Sequence, residues 1–255
     1  MSGSILIERD ARGVETLTID NQAHRNTLNN TLIDALAAAI REAGADPHCR
    51  AIVIQGAGGI FCAGRELRDL QALLDADISV VQATYHRLRL LNEALFDCPK
   101  PTIAKIERYA FGAGATLAAW CDIAIAEETA VMAFPEVRHG IVPAPIVMAL
   151  TRGMPRKAAL DLILTGRRID AREAAELHVI TRAVPADALD RAVERTLADI
   201  LKGSADAIAA TKAFIAHSED AGHRAAMLSA VDSISIGLKA PETRRRIEAF
   251  LAGAR

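Results

Sequence analysis

Two turns of small residues and one carboxylate are the features of this sequence that could do chemistry. The turns are residues 61–64 (Phe-Cys-Ala-Gly) and 112–114 (Gly-Ala-Gly), each after an apolar run, and Pro135 and Glu136 lie downstream. Gly and Ala leave backbone N–H groups open to a ligand. Residues 113–120 also predict the first turns of a helix, where unpaired N–H groups favour an anionic oxygen. Two backbone donors and one carboxylate are the minimum needed to hold an enolate and move its proton, although each turn taken alone is more typical of a tight turn beside a packed core.

Composition limits the classes of protein to consider. The chain has 255 residues, of which 51% are hydrophobic, enough for one sizeable domain or a domain with a helical appendage. The formal net charge of -2 leaves no basic surface of the kind that nucleic acids or anionic membranes attract. No signal segment is visible, and no apolar run approaches the roughly 18 residues of a membrane span. We therefore expect a cytoplasmic protein with neither a nucleic-acid nor a membrane partner.

Neither a nucleotide cofactor nor a metal is indicated. Residues 56–61 begin like a dinucleotide-binding fingerprint, but Phe61 stands where the third glycine is needed, and no helix is predicted there. The histidines lack the spacing of metal ligands. The four cysteines form no C-x-x-C pair, so we expect them to be reduced, buried and inert.

Hydrophobic periodicity predicts strands that alternate with helices. A hairpin is predicted at 4–9 and 14–19, with further strands at 51–55, 102–106, 123–126, 130–134 and 179–184. Helices are predicted at 31–43, capped by Asn29 or Asn30, and at 85–96, 156–164, 171–177, 188–202, 205–217, 223–237 and 242–252. This order predicts an α/β fold in which a β-β-α unit is used more than once, followed by a helical layer.

Several motifs in this order carry a resemblance to a known family. They are Arg-Asn-Thr-Leu-Asn at 25–29, Ala-Ile-Val-Ile-Gln-Gly at 51–56, the turns at 61–64 and 112–114, Lys-Pro-Thr-Ile-Ala at 100–104, Cys-Asp-Ile at 121–123, Phe-Pro-Glu at 134–136, Gly-Ile-Val-Pro at 140–143 and Leu-Thr-Gly-Arg-Arg-Ile at 164–169. Over nearly its whole length the chain resembles the enoyl-CoA hydratase/isomerase (crotonase) family. The resemblance implies a crotonase-like spiral of β-β-α units over 1–190 and a C-terminal helical region over 191–255. It also implies a homotrimer or dimer of trimers that binds acyl-CoA thioesters, with coenzyme A as part of the substrate and no separate cofactor.

The resemblance assigns roles to residues of both turns. It implies that the N–H groups of Ala63 and Ala113 form an oxyanion hole for the thioester oxygen. Glu136 matches the catalytic glutamate, and an apolar pocket is expected to raise its pKa. Without the resemblance, a glutamate in a surface turn would be the ordinary interpretation. The remaining residues implied in substrate binding around these three are Gly64, Gly112, Gly114 and Pro135.

One departure from the family pattern bears on the reaction. Thr116 stands where hydratases with two glutamates carry the upstream one, and a hydroxyl is not a base near neutral pH. Moving a double bond from the 3- to the 2-position needs only one base, so 3-enoyl-CoA to 2-enoyl-CoA isomerisation fits best. A hydratase or lyase acting on an unusual acyl-CoA, and a catalytically silent CoA-binding protein, stay open as alternatives.

A second departure lies after the first turn, where Arg65 and Glu66 replace the Ala-Asp that the family often has. Arg65 could reach a phosphate or an acyl carboxylate, or be solvated, and the solvated interpretation is slightly favoured. Leu67 follows in the same substrate-binding segment. By the same resemblance, Ala23 and Arg25 lie along the CoA moiety, where a guanidinium suits a phosphate.

The last candidates lie beyond the glutamate. His139 is near enough to tune Glu136 or to replace the missing base, although such a histidine is more often a packed neighbour. Gly140 completes this substrate-binding segment. We expect the acyl pocket to be built from residues 80–95 and from 141–150, where two prolines shape an apolar loop.

Overall fold

A computed structural model describes residues 3–220 and residue 245 of the chain. Six strands form one sheet in the order β1-β2-β3-β4-β6-β9, and three form a second sheet in the order β5-β7-β8. The strands are β1 Ser4–Arg9, β2 Val14–Asp20, β3 Ala51–Gly56, β4 Thr102–Ile106, β5 Tyr109–Phe111, β6 Ile123–Glu127, β7 Val131–Ala133, β8 Arg168–Asp170 and β9 Arg182–Val184. The helices are α1 Asn30–Ala45, α2 Leu67–Ala72, α3 Ile78–Phe96, α4 Ala113–Trp120, α5 Ala144–Gly153, α6 Arg156–Thr165, α7 Ala171–Glu176, α8 Leu189–Lys202 and α9 Ala205–Asp220.

The large sheet is parallel except at its first edge. β1 and β2 form the predicted antiparallel hairpin, and β2, β3, β4, β6 and β9 then pair in parallel. Parallel neighbours need crossover connections, which the helices supply. Both faces of β3 are covered, so Ile52 and Ile54 join the core beneath α1, whereas Ala51 and Val53 join the core beneath α8. Burial on both faces explains why this strand is an unbroken apolar run in the sequence.

Local signals place α1 as predicted. The Asn29 side chain accepts a hydrogen bond from the N–H of Leu32 at 2.9 Å, which caps the helix. Leu32, Leu36 and Ile40 are fully buried along one face. On the other side of the sheet, α8 (Leu189–Lys202) spans the predicted boundary between residues 190 and 191. The division into a spiral core and a C-terminal helical region stays a prediction.

Within residues 3–220 the β-β-α order occurs three times, as β1-β2-α1, β4-β5-α4 and β6-β7-α5. In the second and third units, the second strand leaves the large sheet and joins the small one. The small sheet therefore collects β5 and β7, whose downstream ends carry the Gly112 turn and Glu136.

Several boundaries differ from those predicted. α3 begins at Ile78 rather than near residue 85, and residues 144–153 form α5 rather than a loop. Pro145 lies in the first turn of α5, where the N–H that proline lacks has no partner within the helix anyway. Because a proline there starts a helix as readily as it shapes a loop, the sequence pattern was misread. The predicted helices at 223–237 and 242–252 lie outside the described residues, apart from residue 245.

Candidate active site

The site is built where two parallel strands of the small sheet end side by side. Phe111 of β5 is paired with Ala133 of β7, and the N–H of Gly112 donates to the Ala133 carbonyl at 2.9 Å. A Cβ placed on Gly112 would lie 2.8 Å from Oε1 of Glu136. The carboxylate predicted as acid/base therefore lies directly against the backbone of the predicted oxyanion turn.

Gly112 also has a backbone conformation that only glycine adopts readily, with φ +50° and ψ -117°. This conformation ends β5 and lets α4 begin at the next residue, Ala113. As the first residue of a helix, Ala113 has an N–H without an intrahelical partner, and no other acceptor within the described chain takes it. The predicted donor at Ala113 is therefore free to receive an anionic oxygen.

Gly64 brings the other turn against this one. A Cβ on Gly64 would lie 2.8 Å from the carbonyl oxygen of Phe111 and 3.7 Å from the nitrogen of Ala113. Its φ of +99° also lies where side chains are strained. The two turns consequently meet at a point where only a glycine fits.

The structure corrects the donor predicted in the first turn. The N–H of Ala63 donates to the carbonyl of Arg25 at 3.1 Å, so it is already occupied. Leu28 donates to the Gly64 carbonyl and accepts from the N–H of Glu66, which directs the N–H of the intervening Arg65 away from Leu28. No acceptor within residues 3–220 takes the Arg65 N–H. The prediction of Ala63 is wrong, and Arg65 carries the free donor of this turn.

Glu136 begins a short 3-10 helix directly after Pro135. Its Oε2 atom is buried and has no hydrogen-bond partner in the described part of the chain. Burial raises the pKa of the Glu136 carboxyl by desolvating its charged form, against a smaller lowering by its own backbone N–H. A carboxyl with one unpaired oxygen and a raised pKa is suited to taking and returning a proton.

Thr116 lies on α4 and is only 5% exposed. Its hydroxyl donates to the carbonyl of Gly112 at 2.9 Å, and its backbone N–H donates to the same oxygen. The hydroxyl proton is therefore committed to the turn, and the side chain supplies no second base.

The side chain of Arg65 is buried rather than solvated, with 9% of its surface exposed. Its Nη2 donates to Oδ1 of Asn30 at 2.9 Å and lies 3.7 Å from Asp69. Its Nη1 is buried and has no hydrogen-bond partner within residues 3–220. Burial lowers the pKa of the guanidinium, although it stays charged. The slight preference for a solvated arginine was wrong because sequence alone does not show that α1 and α2 close over this residue.

One cavity of about 820 Å³ contains these groups. The predicted residues that line it are Ala23, Arg25, Ala63, Gly64, Arg65, Glu66, Gly112, Ala113, Thr116, Pro135, Glu136 and His139. As predicted, α3 and residues 141–146 supply apolar lining, which consists of Leu88, Leu91, Ile141, Val142, Pro143, Pro145 and Ile146. Tyr85 and Asn92 line the cavity from within the predicted segment 80–95. Arg138 and Arg168 also line it and were not singled out as site residues, since nothing marks them among other surface polar residues.

Three predicted binding residues do not line this cavity. Gly114 has a packing role, because a Cβ there would lie 2.4 Å from the carbonyl oxygen of Cys62. Gly140 ends the 3-10 helix of Glu136 with φ +72°, and Leu67 is the first residue of α2. The first two therefore shape the site through the backbone.

The mouth of the cavity carries polar and basic groups. Arg25 is exposed there, and its backbone has the left-handed conformation. Glu66 accepts a hydrogen bond from Oγ1 of Thr27 at 2.6 Å and lies 3.6 Å from Nδ1 of His24. His139 is exposed, and no hydrogen bond in the described chain links it to Glu136.

Neither thiol chemistry nor metal binding is indicated by the described residues outside this cavity. The four cysteines are free and buried, and burial raises the thiol pKa of Cys62 to about 12. Within the described residues, no three His, Cys, Asp or Glu side chains are grouped so that they could hold a metal ion. No helix in this part of the chain is long and apolar enough to cross a membrane.

Comparison with known proteins identifies the family of this chain. Residues 9–233 match the family model for enoyl-CoA hydratase/isomerase. The chain belongs to this family. A probable enoyl-CoA hydratase of Mycobacterium bovis is 36% identical over 207 residues, which cover 80% of this chain and 77% of the relative. A putative enoyl-CoA hydratase of Thermus thermophilus is 33% identical over 190 residues, covering 73% of this chain and 74% of the relative.

Solved structures show the same fold for this family member. An enoyl-CoA hydratase of Mycobacterium smegmatis superposes with a TM-score of 0.93 at 29% sequence identity, and the superposition covers 98% of this chain and 96% of the hydratase chain. Pseudomonas aeruginosa AtuE also superposes with a TM-score of 0.93, at 30% identity, over 97% of this chain and 96% of the AtuE chain. The crotonase-like α/β fold expected from the motifs is confirmed.

Proposed function

We propose that this enoyl-CoA hydratase/isomerase family member moves the double bond of a 3-enoyl-CoA to the 2-position, with Glu136 as the single acid/base. One observation carries the proposal. Two carboxylates of the described chain line the cavity, and Glu66 is engaged by Thr27, whereas Glu136 has an unpaired Oε2. At the position of a possible second base stands Thr116, whose hydroxyl proton is bonded to Gly112.

In the proposed reaction, the thioester oxygen accepts hydrogen bonds from the N–H groups of Arg65 and Ala113. The Glu136 carboxylate takes a proton from C2, and the electron pair moves through C1 so that negative charge develops on the thioester oxygen. The protonated Glu136 then gives its proton to C4, which leaves the double bond between C2 and C3. No water is consumed, and each N–H donor contributes about 3 kcal/mol to lowering the barrier.

The remaining features of the cavity fit a CoA thioester. Arg25 is exposed at the mouth, where its guanidinium could bind a phosphate of the CoA moiety. The apolar lining from α3 and α5 suits an acyl chain. A homotrimer or dimer of trimers and a cytoplasmic location stay predictions.

Hydration is the second candidate, because the relatives are named as a probable and a putative enoyl-CoA hydratase. After donating to Gly112, the Thr116 hydroxyl still has lone pairs that could orient a water. Glu136 would then have to activate that water and protonate the α-carbon in turn. A catalytically silent CoA-binding protein is the third candidate, and it predicts that Glu136 is dispensable.

Two parallel assays test these alternatives, with an exposed glutamate, Glu176, as the site of a matched control. Conversion of a 3-enoyl-CoA to its conjugated isomer is followed by thioester absorbance, and hydration of the 2-enoyl-CoA is measured beside it. We expect Glu136→Gln to lose isomerisation by a factor on the order of 10³ while Glu176→Gln keeps it. Wild-type hydration faster than isomerisation would refute the proposal in favour of the hydratase.

Introducing the missing carboxylate provides a second comparison. Thr116→Glu should gain hydration if only the second base is missing, whereas Thr116→Gln, similar in size and neutral, should not. Absence of both activities in the wild type, with retained CoA binding, would support the silent binder.

A further inference from the structure

We propose that the acyl group of the substrate carries a carboxylate, which the guanidinium of Arg65 binds inside the cavity. This inference rests on the proposed acyl-CoA site and names its substrate class. It starts from a buried cation in a mainly apolar cavity, since 91% of the Arg65 side-chain surface is covered and the residue lines the same space as Glu136.

The hydrogen bonds of Arg65 are incomplete. Nη2 donates to Oδ1 of Asn30 and forms an ion pair with Asp69 at 3.7 Å, which is beyond hydrogen-bond distance. Nη1, which has two N–H donors, has no acceptor among the described residues. Leaving donors of a buried charged group unpaired is costly, so such a group calls for an acceptor that residues 3–220 do not provide.

The chemistry of the surroundings selects the ligand. A guanidinium presents parallel N–H groups that match the two oxygens of a carboxylate, and the pair is strongest where water is excluded. Tyr85 and Asn92 of α3 line the same cavity and supply neutral polar groups beside the apolar Leu88 and Leu91. An acyl chain that is apolar along its length and carries one carboxylate fits this lining better than a purely hydrocarbon chain.

The position of Arg65 in the chain supports a ligand in the acyl part of the substrate. The backbone N–H of the same residue is the free donor of the first turn, so its side chain begins next to the expected thioester carbonyl. The phosphates of CoA have a separate exposed arginine, Arg25, at the mouth. We therefore assign the buried arginine to the acyl chain and the exposed one to CoA.

The test compares two substrates of equal carbon number, 3-hexenoyl-CoA and the mono-CoA thioester of 3-hexenedioic acid, which differ in a terminal methyl or carboxylate. For the wild type we expect kcat/KM to favour the carboxylated substrate by about 100-fold, because the neutral chain leaves buried donors unpaired. Arg65→Met keeps the backbone N–H and an unbranched side chain that matches arginine as far as Nε, and it should abolish or reverse this ratio. Using the ratio removes any loss that the variant causes equally for both substrates.

Control variants separate charge from geometry. Arg65→Lys keeps the positive charge but lacks the two parallel N–H donors of a guanidinium, so it should retain only part of the preference for the carboxylated substrate. Arg191→Met, on the exposed surface of α8, should leave the ratio at its wild-type value. A wild-type ratio below threefold, or a ratio unchanged in Arg65→Met, would overturn the inference.

Binding of unreactive ligands separates this inference from the proposed function. Hexanoyl-CoA and the mono-CoA thioester of hexanedioic acid have no double bond, and their Kd values are measured by calorimetry with wild type and Arg65→Met. A tighter Kd for the carboxylated ligand that depends on Arg65 supports the inference even if no isomerisation is found. Isomerisation with equal Kd values for the two ligands would instead leave the proposed function standing and refute the carboxylate site.

Discussion

The contact between Gly112 and the Glu136 carboxylate predicts the outcome of a one-methyl substitution. In Gly112→Ala the new Cβ would lie 2.8 Å from Oε1 of Glu136, whereas ordinary contacts begin at 3.4 Å. Either the carboxylate or the turn must therefore move by at least about 0.6 Å. Both movements affect the site, because the turn carries the free N–H of Ala113.

The expected loss of activity follows from this displacement. A misplacement of about 1 Å in a reacting group can lower a rate by about 10²-fold, so we expect kcat to fall between roughly 10- and 100-fold. The substitution also forces alanine into a backbone conformation at φ +50° and ψ -117°. Strain of this kind costs about 1–3 kcal/mol. For a protein of this size the melting temperature should fall by roughly 2–12 °C.

Gly59 offers the matched control. It also has a positive φ, of +70°, but a Cβ there would have no neighbour within 4 Å, and Gly59 does not line the cavity. Gly59→Ala should therefore show backbone strain of about 1 kcal/mol in thermal unfolding and a normal kcat in the thioester absorbance assay. If the kcat of Gly112→Ala were within twofold of the kcat of Gly59→Ala, the Glu136 carboxylate would not act from its position against Gly112, and the argument would fail.

Two further perturbations test the groups around this contact. Because burial raises the pKa of Glu136 and its carboxylate form takes the proton, kcat/KM should rise with pH through a pKa above glutamate's usual value of about 4.3. The folded state also holds this proton more tightly than the unfolded state, so the wild type loses stability as pH rises and the carboxyl ionises. Glu136→Gln has no such proton, and its free energy of unfolding in urea should therefore rise relative to that of the wild type over the same pH range. The absence of this trend would contradict the burial argument. Thr116→Val removes one of two hydrogen bonds to the Gly112 carbonyl, so it should lower the free energy of unfolding in urea by about 1 kcal/mol. The isomerisation rate should stay within a few-fold of the wild-type rate. A larger loss of rate would mean that the hydroxyl takes part in the chemistry.

Much of the fold could be predicted because its signals are local. The strands at Ser4–Arg9 and Thr102–Ile106 have the predicted bounds, and the Asn29 cap marks the start of α1. Alternation, apolar runs and capping residues act over a few neighbouring positions, so they are visible in the chain itself. Glu136 and the Gly112 turn were singled out through the family resemblance, which is carried by short motifs such as Gly-Ala-Gly at 112–114 and Phe-Pro-Glu at 134–136.

Contacts between distant segments could not be predicted in the same way. Whether the free N–H belongs to Ala63 or to Arg65 depends on how residues 25–28 lie against the first turn, because that segment occupies one donor and leaves the other. The burial of Arg65 depends on α1 and α2 closing around it. No pattern of neighbouring residues records these approaches.

The division between the two kinds of information therefore has a physical basis. The residue types and their short spacings specify which elements form and which groups are available for chemistry, because those preferences arise from each residue's own backbone and immediate neighbours. The direction of each N–H, the unpaired state of Glu136 and the buried guanidinium arise only when segments far apart in the chain pack together. In a packed interior a displacement of a few tenths of an ångström determines whether a polar group has a partner or is left for a ligand.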